Sequence, residues 1–427
     1  MSFVFIWIFI LLMAFGMPIA IVLLCAPLLS LIWDGQSDFF VALVSRMYHG
    51  INSFPLMAVP FFVLAGELMN LGGVSNSIIA LSRALLGHLR GGILHISVMS
   101  SVLFAGLTGS AVAEASALGK VMIPIMEKEG IGKRFGAALV IAGAIIGPII
   151  PPSGLMILYS YVMNLNVAAL FAGGIIPGLL MGIALTIYNV IIARVRNYPA
   201  NATRASIREI WAAFKECILP LMMPIIIIVG VLSGVFTITE SSVIAVIYVL
   251  LITLFRNPTS LRELPQALAS TVRQSSVILF LVGAAVSFGW LVTVSGMAEF
   301  LSKFVTESST NIYMLLFIFN ILLLGIGMFL DAGPAILILG PALGPTFVEH
   351  GVHPVQFAII MCVNLSIGLA TPPVGLVFNS VCSLTKIKLE EMVRELLPLL
   401  GIEILVVFLI TYIPELTLWI PRTFNLL

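Results

Sequence analysis

The chain is 427 residues long, 60% hydrophobic and only 9% charged, with a formal net charge of +1. Soluble domains carry about 25% charged residues, so the solvent of this protein is lipid. Near-neutrality without a basic, aromatic-interleaved run excludes nucleic acid as a partner. Nothing reads as the ~10-residue alternating strands of an outer-membrane barrel.

The first segment, MSFVFIWIFILL, lacks a basic n-region and a small-residue cleavage site. It reads as a retained membrane helix within the charge-free run 2–33. Next, Arg46–Gly50 leads into Ile51-Asn52-Ser53-Phe54-Pro55 and then Leu56–Met69. A polar tip between two apolar limbs predicts a re-entrant hairpin. A second interruption follows at Gly106-Leu107-Thr108-Gly109-Ser110. There glycines weaken the helix and free backbone groups that suit a cation or a carboxylate.

No acid or base occurs from Phe135 to Ala193, far beyond the ~20 residues of one membrane span. Inside this run, Gly147-Pro148-Ile149-Ile150-Pro151-Pro152-Ser153 forms a third break, because each proline lacks an N–H and disrupts a helix. Segment 194–215 is the one long polar linker. From Ser206 it predicts a surface amphipathic helix with Ile207, Ile210, Trp211 and Phe214 on one side. Two crossings, 217–239 and 241–255, follow.

The same three interruptions then recur. Leu264–Arg273, Gln274-Ser275-Ser276 and Val277–Val292 repeat the hairpin pattern at an offset of 223, aligning Ser53 with Ser276. At an offset of 221, Gly327–Asp331 repeats Gly106–Ser110, and Gly368-Leu369-Ala370-Thr371-Pro372-Pro373 repeats the proline break. Two Gly/Pro-interrupted segments at matching places in two halves mark a secondary transporter. The predicted fold is all-α and integral to the membrane: an inverted-repeat, elevator-type transporter with two re-entrant hairpins and discontinuous helices. One polytopic domain spans 1–427, with repeat 1 at about 35–193 and repeat 2 at about 217–395. Elements at about 46–165 and 264–385 would make the transport domain, and 1–33, 167–255 and 396–420 the scaffold.

Lys128, Lys133, Arg134, Arg194, Arg196, Arg204, Arg208, Lys215, Arg256, Arg262, Lys386, Lys388 and Arg394 fall on one side when the spans are threaded by the positive-inside rule. Arg46, Arg83, Arg90 and Arg422 fall on the other. The segment around 106–124 then runs inward and its copy around 327–345 outward.

Asp331 is an acid inside an apolar run, which marks function by default. It also suits the N-cap of a helix starting at Ala332-Gly333-Pro334. Ser110 and Ser153 stand at equivalent breaks. Glu67, Glu114, Lys120, Glu240 and Glu403 read as structural pairs or interface positions, with Glu114 and Lys120 facing different ways. His95 reads as a packing histidine. Cys25, Cys217, Cys362 and Cys382 show no C-x-x-C spacing and read as buried thiols. The chain is not an enzyme: it carries no G-x-S-x-G, H-E-x-x-H or D-D-x-x-D motif.

The paired G-x-x-x-P-P-x-G motifs, the Ser110/Asp331 breaks and the tips resemble the large membrane subunit of TRAP (tripartite ATP-independent periplasmic) transporters over nearly the whole chain, most closely the sialic-acid type. The resemblance implies a multi-pass protein of the bacterial inner membrane working by an elevator mechanism, with membrane lipid around it. It implies uptake of an organic acid, coupled to Na⁺. It also implies two partners: a small four-helix membrane subunit and a periplasmic substrate-binding protein. Carried over by position, Ser110, Ser153 and Asp331 would line the substrate site. Asn52, Ser53, Gly106 and Thr108 would form one Na⁺ site, and Ser275, Ser276, Gly327 and Thr371 the other. Asp331 would repel a second carboxylate but accept bonds from sugar hydroxyls, which favours sialic acid (N-acetylneuraminate). The alternatives are a C4-dicarboxylate TRAP subunit and a stand-alone Na⁺/dicarboxylate symporter.

Overall fold

The structure, a computed structural model, describes residues 3–200, 204–256, 262–297, 303 and 311–427. Part of the polar linker, 201–203, lies outside the described residues. Helices α1 (Val4–Ala14) and α2 (Ile19–Trp33) precede the first repeat. That repeat runs α3 (Phe40–Ile51), α4 (Ala58–Leu71), α5 (Val74–Leu86), α6 (Gly92–Thr108), α7 (Ala111–Lys128), α8 (Lys133–Ala144), α9 (Gly154–Met163) and α10 (Val167–Val195). After α11 (Ile207–Leu232) and α12 (Ile238–Arg256), the second runs α13 (Leu264–Val294), α14 (Ile312–Gly327), α15 (Ala332–Glu349), α16 (Pro354–Gly368) and α17 (Leu376–Thr385). Helices α18 (Leu389–Tyr412) and α19 (Glu415–Thr423) close the chain. Among the described residues, five helices are long and apolar enough to cross a membrane, or up to seven if each sharply bent pair is one span.

The repeat is real in three dimensions. Pro151-Pro152 and Pro372-Pro373 are both cis peptides. Asn164 and Lys386, at corresponding places, both turn left-handed (φ 51° and 57°) to end α9 and α17. In each half two helices flank a third: α6 and α7 both pack on α8, as α14 and α15 both pack on α16. The halves also exchange contacts, because α7 of the first packs on α17 of the second while α15 of the second packs on α9 of the first.

The placement of the hairpins differs from the sequence reading. The expected second tip, Gln274-Ser275-Ser276, does not exist: α13 is one continuous helix of 31 residues. No Gly or Pro interrupts it there, and two of its polar side chains bond across to α4. Gln274 Nε2 and Ser270 Oγ both donate to Glu67 Oε1, at 2.7 and 2.8 Å. Pro55, by contrast, does break the chain, and the flanking helices meet at 60°.

The chain instead turns back at Gly109–Ser110, where α6 and α7 lie against each other. The ends of this hairpin share a face: Arg83 pairs with Glu129 at 3.7 Å. Arg90 donates to the Tyr198 carbonyl and Asn197 Oδ1 at 3.0 and 2.9 Å. Arg83 and Arg90 therefore sit with the basic cluster and not opposite it, and 106–124 is the returning limb of a hairpin. Nearby, Arg134 pairs with Glu391 at 2.9 Å and Arg196 with Glu395 at 2.7 Å. The amphipathic stretch after Ser206 is the first turns of α11, opened by a Ser206/Glu209 capping box.

Candidate functional site around four helix breaks

Three of the four breaks end in a side chain that caps the next helix, and the fourth ends at Gly375 without one. Gly109 adopts the left-handed conformation (φ 59°), and a Cβ there would lie 2.6 Å from the Pro152 carbonyl oxygen. Only glycine lets the hairpin tip press onto the proline break. Ser110 follows as the N-cap of α7, its Oγ accepting from the Ala113 N–H at 3.5 Å. Ser153 caps α9, accepting from the Met156 N–H at 3.3 Å and donating to the Pro148 carbonyl. Asp331 caps α15, with Oδ1 accepting from the Ala332 N–H at 2.8 Å.

These breaks enclose a cavity of about 200 Å³, lined by Ser110, Pro148 and Gly154 from one half and by Asp331, Gly333 and Leu369 from the other. Ile278 and Leu281 of α13 supply an apolar wall. Among the described residues, Asp331 is the one ionisable side chain lining it. The positive N-terminal ends of α7 and α15 also abut it, a setting that favours an anionic group. Ser110 and Asp331, equivalent in the repeat, are thus brought together. Ser153 is fully buried behind Gly154 and supports the break from within.

The remaining predicted residues divide. Gly327 touches Gly368, whose carbonyl accepts from the Thr371 N–H at 3.0 Å, so Gly327 and Thr371 belong to one crossing. Gly106 packs on the Pro151 carbonyl and Thr108 on Gly66. The Asn52–Ser53 bend is braced by α13 and α12: Gly50 and Ile51 meet Val286 and Gly283, and the Phe54 carbonyl accepts from Thr239 Oγ1 at 3.0 Å. Ser275 is buried in α13 and Ser276 is exposed on it. Of these predicted residues, Thr108 and Ser275 have shielded hydroxyls that bond to no protein atom in the described residues, as do Ser97 and Ser241 outside the predicted set.

Glu67 and Glu240 have the structural roles expected of them. Glu67 ties α4 to α13, and Glu240 caps α12 by accepting from the Thr237 N–H and Oγ1, both at 2.8 Å. Glu114 is fully buried against Gly147, whereas Lys120 is exposed. Sequence reasoning overlooked the apolar wall from α13, and it marked the Gly106–Ser110 break without reading that the chain reverses there at Gly109. The Gly-Ser pair before an apolar helix is the signal that could have located that turn.

Residues 6–416 match the family model described as "Tripartite ATP-independent periplasmic transporter, DctM component". The chain is 36% identical over 410 residues to the sialic acid TRAP transporter large permease protein SiaM of Vibrio cholerae, covering 96% of each chain. It is 35% identical over 386 residues to the C4-dicarboxylate TRAP transporter large permease protein DctM of Pseudomonas aeruginosa, covering 90% of each. Among solved structures it is similar in fold to the YdaH transporter of Alcanivorax borkumensis, with a TM-score of 0.57 at 17% identity over 92% of this chain and 90% of that one. These relatives are permeases and not enzymes. With the symmetric breaks and the apolar helices, the matches establish that this multi-pass inner-membrane protein belongs to the DctM family, the large permease components of TRAP transporters.

Proposed function

We propose that this chain carries Na⁺-coupled uptake of an organic acid, with a sialic acid as the first candidate, held between Ser110 and Asp331. The observation behind this reading is that these two residues cap the facing helices of opposite repeats and line one cavity. The substrate carboxylate rests at the helix N-termini, and Asp331 accepts bonds from hydroxyls. Ser153 keeps the proline break in shape. A delivering periplasmic binding protein and a small four-helix membrane subunit complete the assembly. An elevator-like shift of the hairpins and broken helices alternates access.

Oxygen-only donor sets fit Na⁺. The orphaned Thr108 hydroxyl beside Gly106 suits one set, with Asn52 and Ser53, and the orphaned Ser275 hydroxyl suits the other, with Ser276, Gly327 and Thr371. Bound there, Na⁺ would supply positive charge that offsets the substrate's carboxylate.

A second reading, a C4-dicarboxylate, is favoured by the small central volume of about 200 Å³. Uptake of labelled N-acetylneuraminate and of succinate into proteoliposomes holding both membrane subunits, with and without a Na⁺ gradient and the binding protein, tests both. N-acetylneuraminate uptake requiring both additions supports the first reading. Succinate uptake with the same requirements supports the second, and succinate uptake by this chain alone overturns the tripartite reading.

A further inference from the structure

Beside the four-break cavity lies a larger one, of about 560 Å³, whose walls include Glu67 and Asn70 of α4, Asn76, Ser116 and Lys120, and Gln274 of α13. It shares Ser110 and Val112 with the central cavity, so the two are neighbours across the hairpin tip. One wall is a stripe of α7 at helical spacing: Ser110, Ala113, Ser116 with Ala117, then Lys120. Small side chains keep this groove open, and ten residues of helix carry it about 15 Å from Ser110 to Lys120. It leads toward the face that carries the Arg83–Glu129 pair and Lys133, the cytoplasmic face by the positive-inside rule.

Among the described residues, Lys120 is the only basic residue lining either cavity. It is exposed and takes part in no ion pair among the described residues. Glu67, the acid in the same wall, is tied to α13 by Ser270 and Gln274. Asn70 Oδ1 is shielded and bonds to no protein atom in the described residues. An intramembrane cation with no ion pair among the described residues, in a polar groove ending at the tip, calls for an anion.

We infer that Lys120 forms a second, staging subsite for the carboxylate of an organic anion, between the Ser110/Asp331 site and the cytoplasm. The inference rests on the reading that the cargo is an organic acid. Asp331 repels an acid that loosens from the tip, and Lys120 is the first positive charge on its way out.

The test uses Ala117→Cys in a Cys25→Ser background, assembled with the small subunit in inside-out vesicles. A membrane-impermeant maleimide should label the introduced thiol, and N-acetylneuraminate or succinate should protect it. Adding Lys120→Gln should raise the half-protecting concentration about fivefold, and Lys120→Arg should restore it. No protection by either acid, or the same half-protecting concentration in Lys120→Gln, overturns the inference. Should Lys120→Gln fail to assemble, the Lys120 protein is read at rising KCl. A charge contact weakens as screening grows, and a salt-independent half-protecting concentration overturns the inference. Uptake that survives Ser110→Ala and Asp331→Ala would overturn the tip site instead, which separates the two failures.

Discussion

Gly327 and Gly368 cross backbone to backbone. A Cβ built on Gly368 would stand 2.6 Å from the Gly327 Cα, and one built on Gly327 would stand 3.0 Å from the Gly368 Cα. Both glycines head breaks, so the break between α14 and α15 is set directly on the proline break that follows α16. Gly368→Ala should force the two apart at a cost of about 1–3 kcal/mol. Uptake should collapse and the thermal midpoint in detergent should fall; an unchanged midpoint would mean the crossing is loose.

Asp331 both caps α15 and faces the cavity, and two substitutions separate these roles. Asn is as good an N-cap as Asp, whereas Ala costs about 0.5–2 kcal/mol. Asp331→Asn should therefore keep the thermal midpoint yet lower uptake more than tenfold, while Asp331→Ala lowers both. Wild-type uptake by the Asn variant would remove the carboxylate from the site.

The buried, unpartnered hydroxyls should matter most to the cation. Thr108→Ala and Ser275→Ala are expected to raise the Na⁺ concentration for half-maximal uptake. Ser276→Ala, on the exposed side of α13, should shift it less. Equal shifts for the two serines would speak against a Na⁺ role tied to burial.

The α6–α7 hairpin predicts that both of its ends meet the same water. His88→Cys and Gly130→Cys, in a Cys25→Ser background, should react with an impermeant maleimide from the cytoplasmic face. Labelling from opposite faces would make 92–128 a crossing and undo the shared face of Arg83 and Glu129.

Much of this architecture was legible because Gly and Pro act locally. Gly109 ends α6, and the Pro151-Pro152 and Pro372-Pro373 pairs stand between helices, so the repeat and its breaks could be read from spacing, although single prolines such as Pro124 and Pro177 sit inside continuous helices. The polar side chains misled, since their meaning depends on distant partners. Gln274 and Ser275 look like a loop in sequence, yet Gln274 bonds to Glu67 on another helix and Ser275 is buried. Arg90 looks misplaced until Asn197 and Tyr198 close on it. Of the candidate site, Ser110 and Asp331 could be read from their place beside the breaks. The apolar wall of Ile278 and Leu281 could not, because nothing in a uniformly apolar helix marks which face meets a cavity.

The exchange in which α7 rests on α17 and α15 on α9 means that neither half of the chain closes its own core. Severed in the linker, each fragment would keep α7 on α8 or α15 on α16 yet leave bare the face meant for the other half, and only co-expression would give a folded permease.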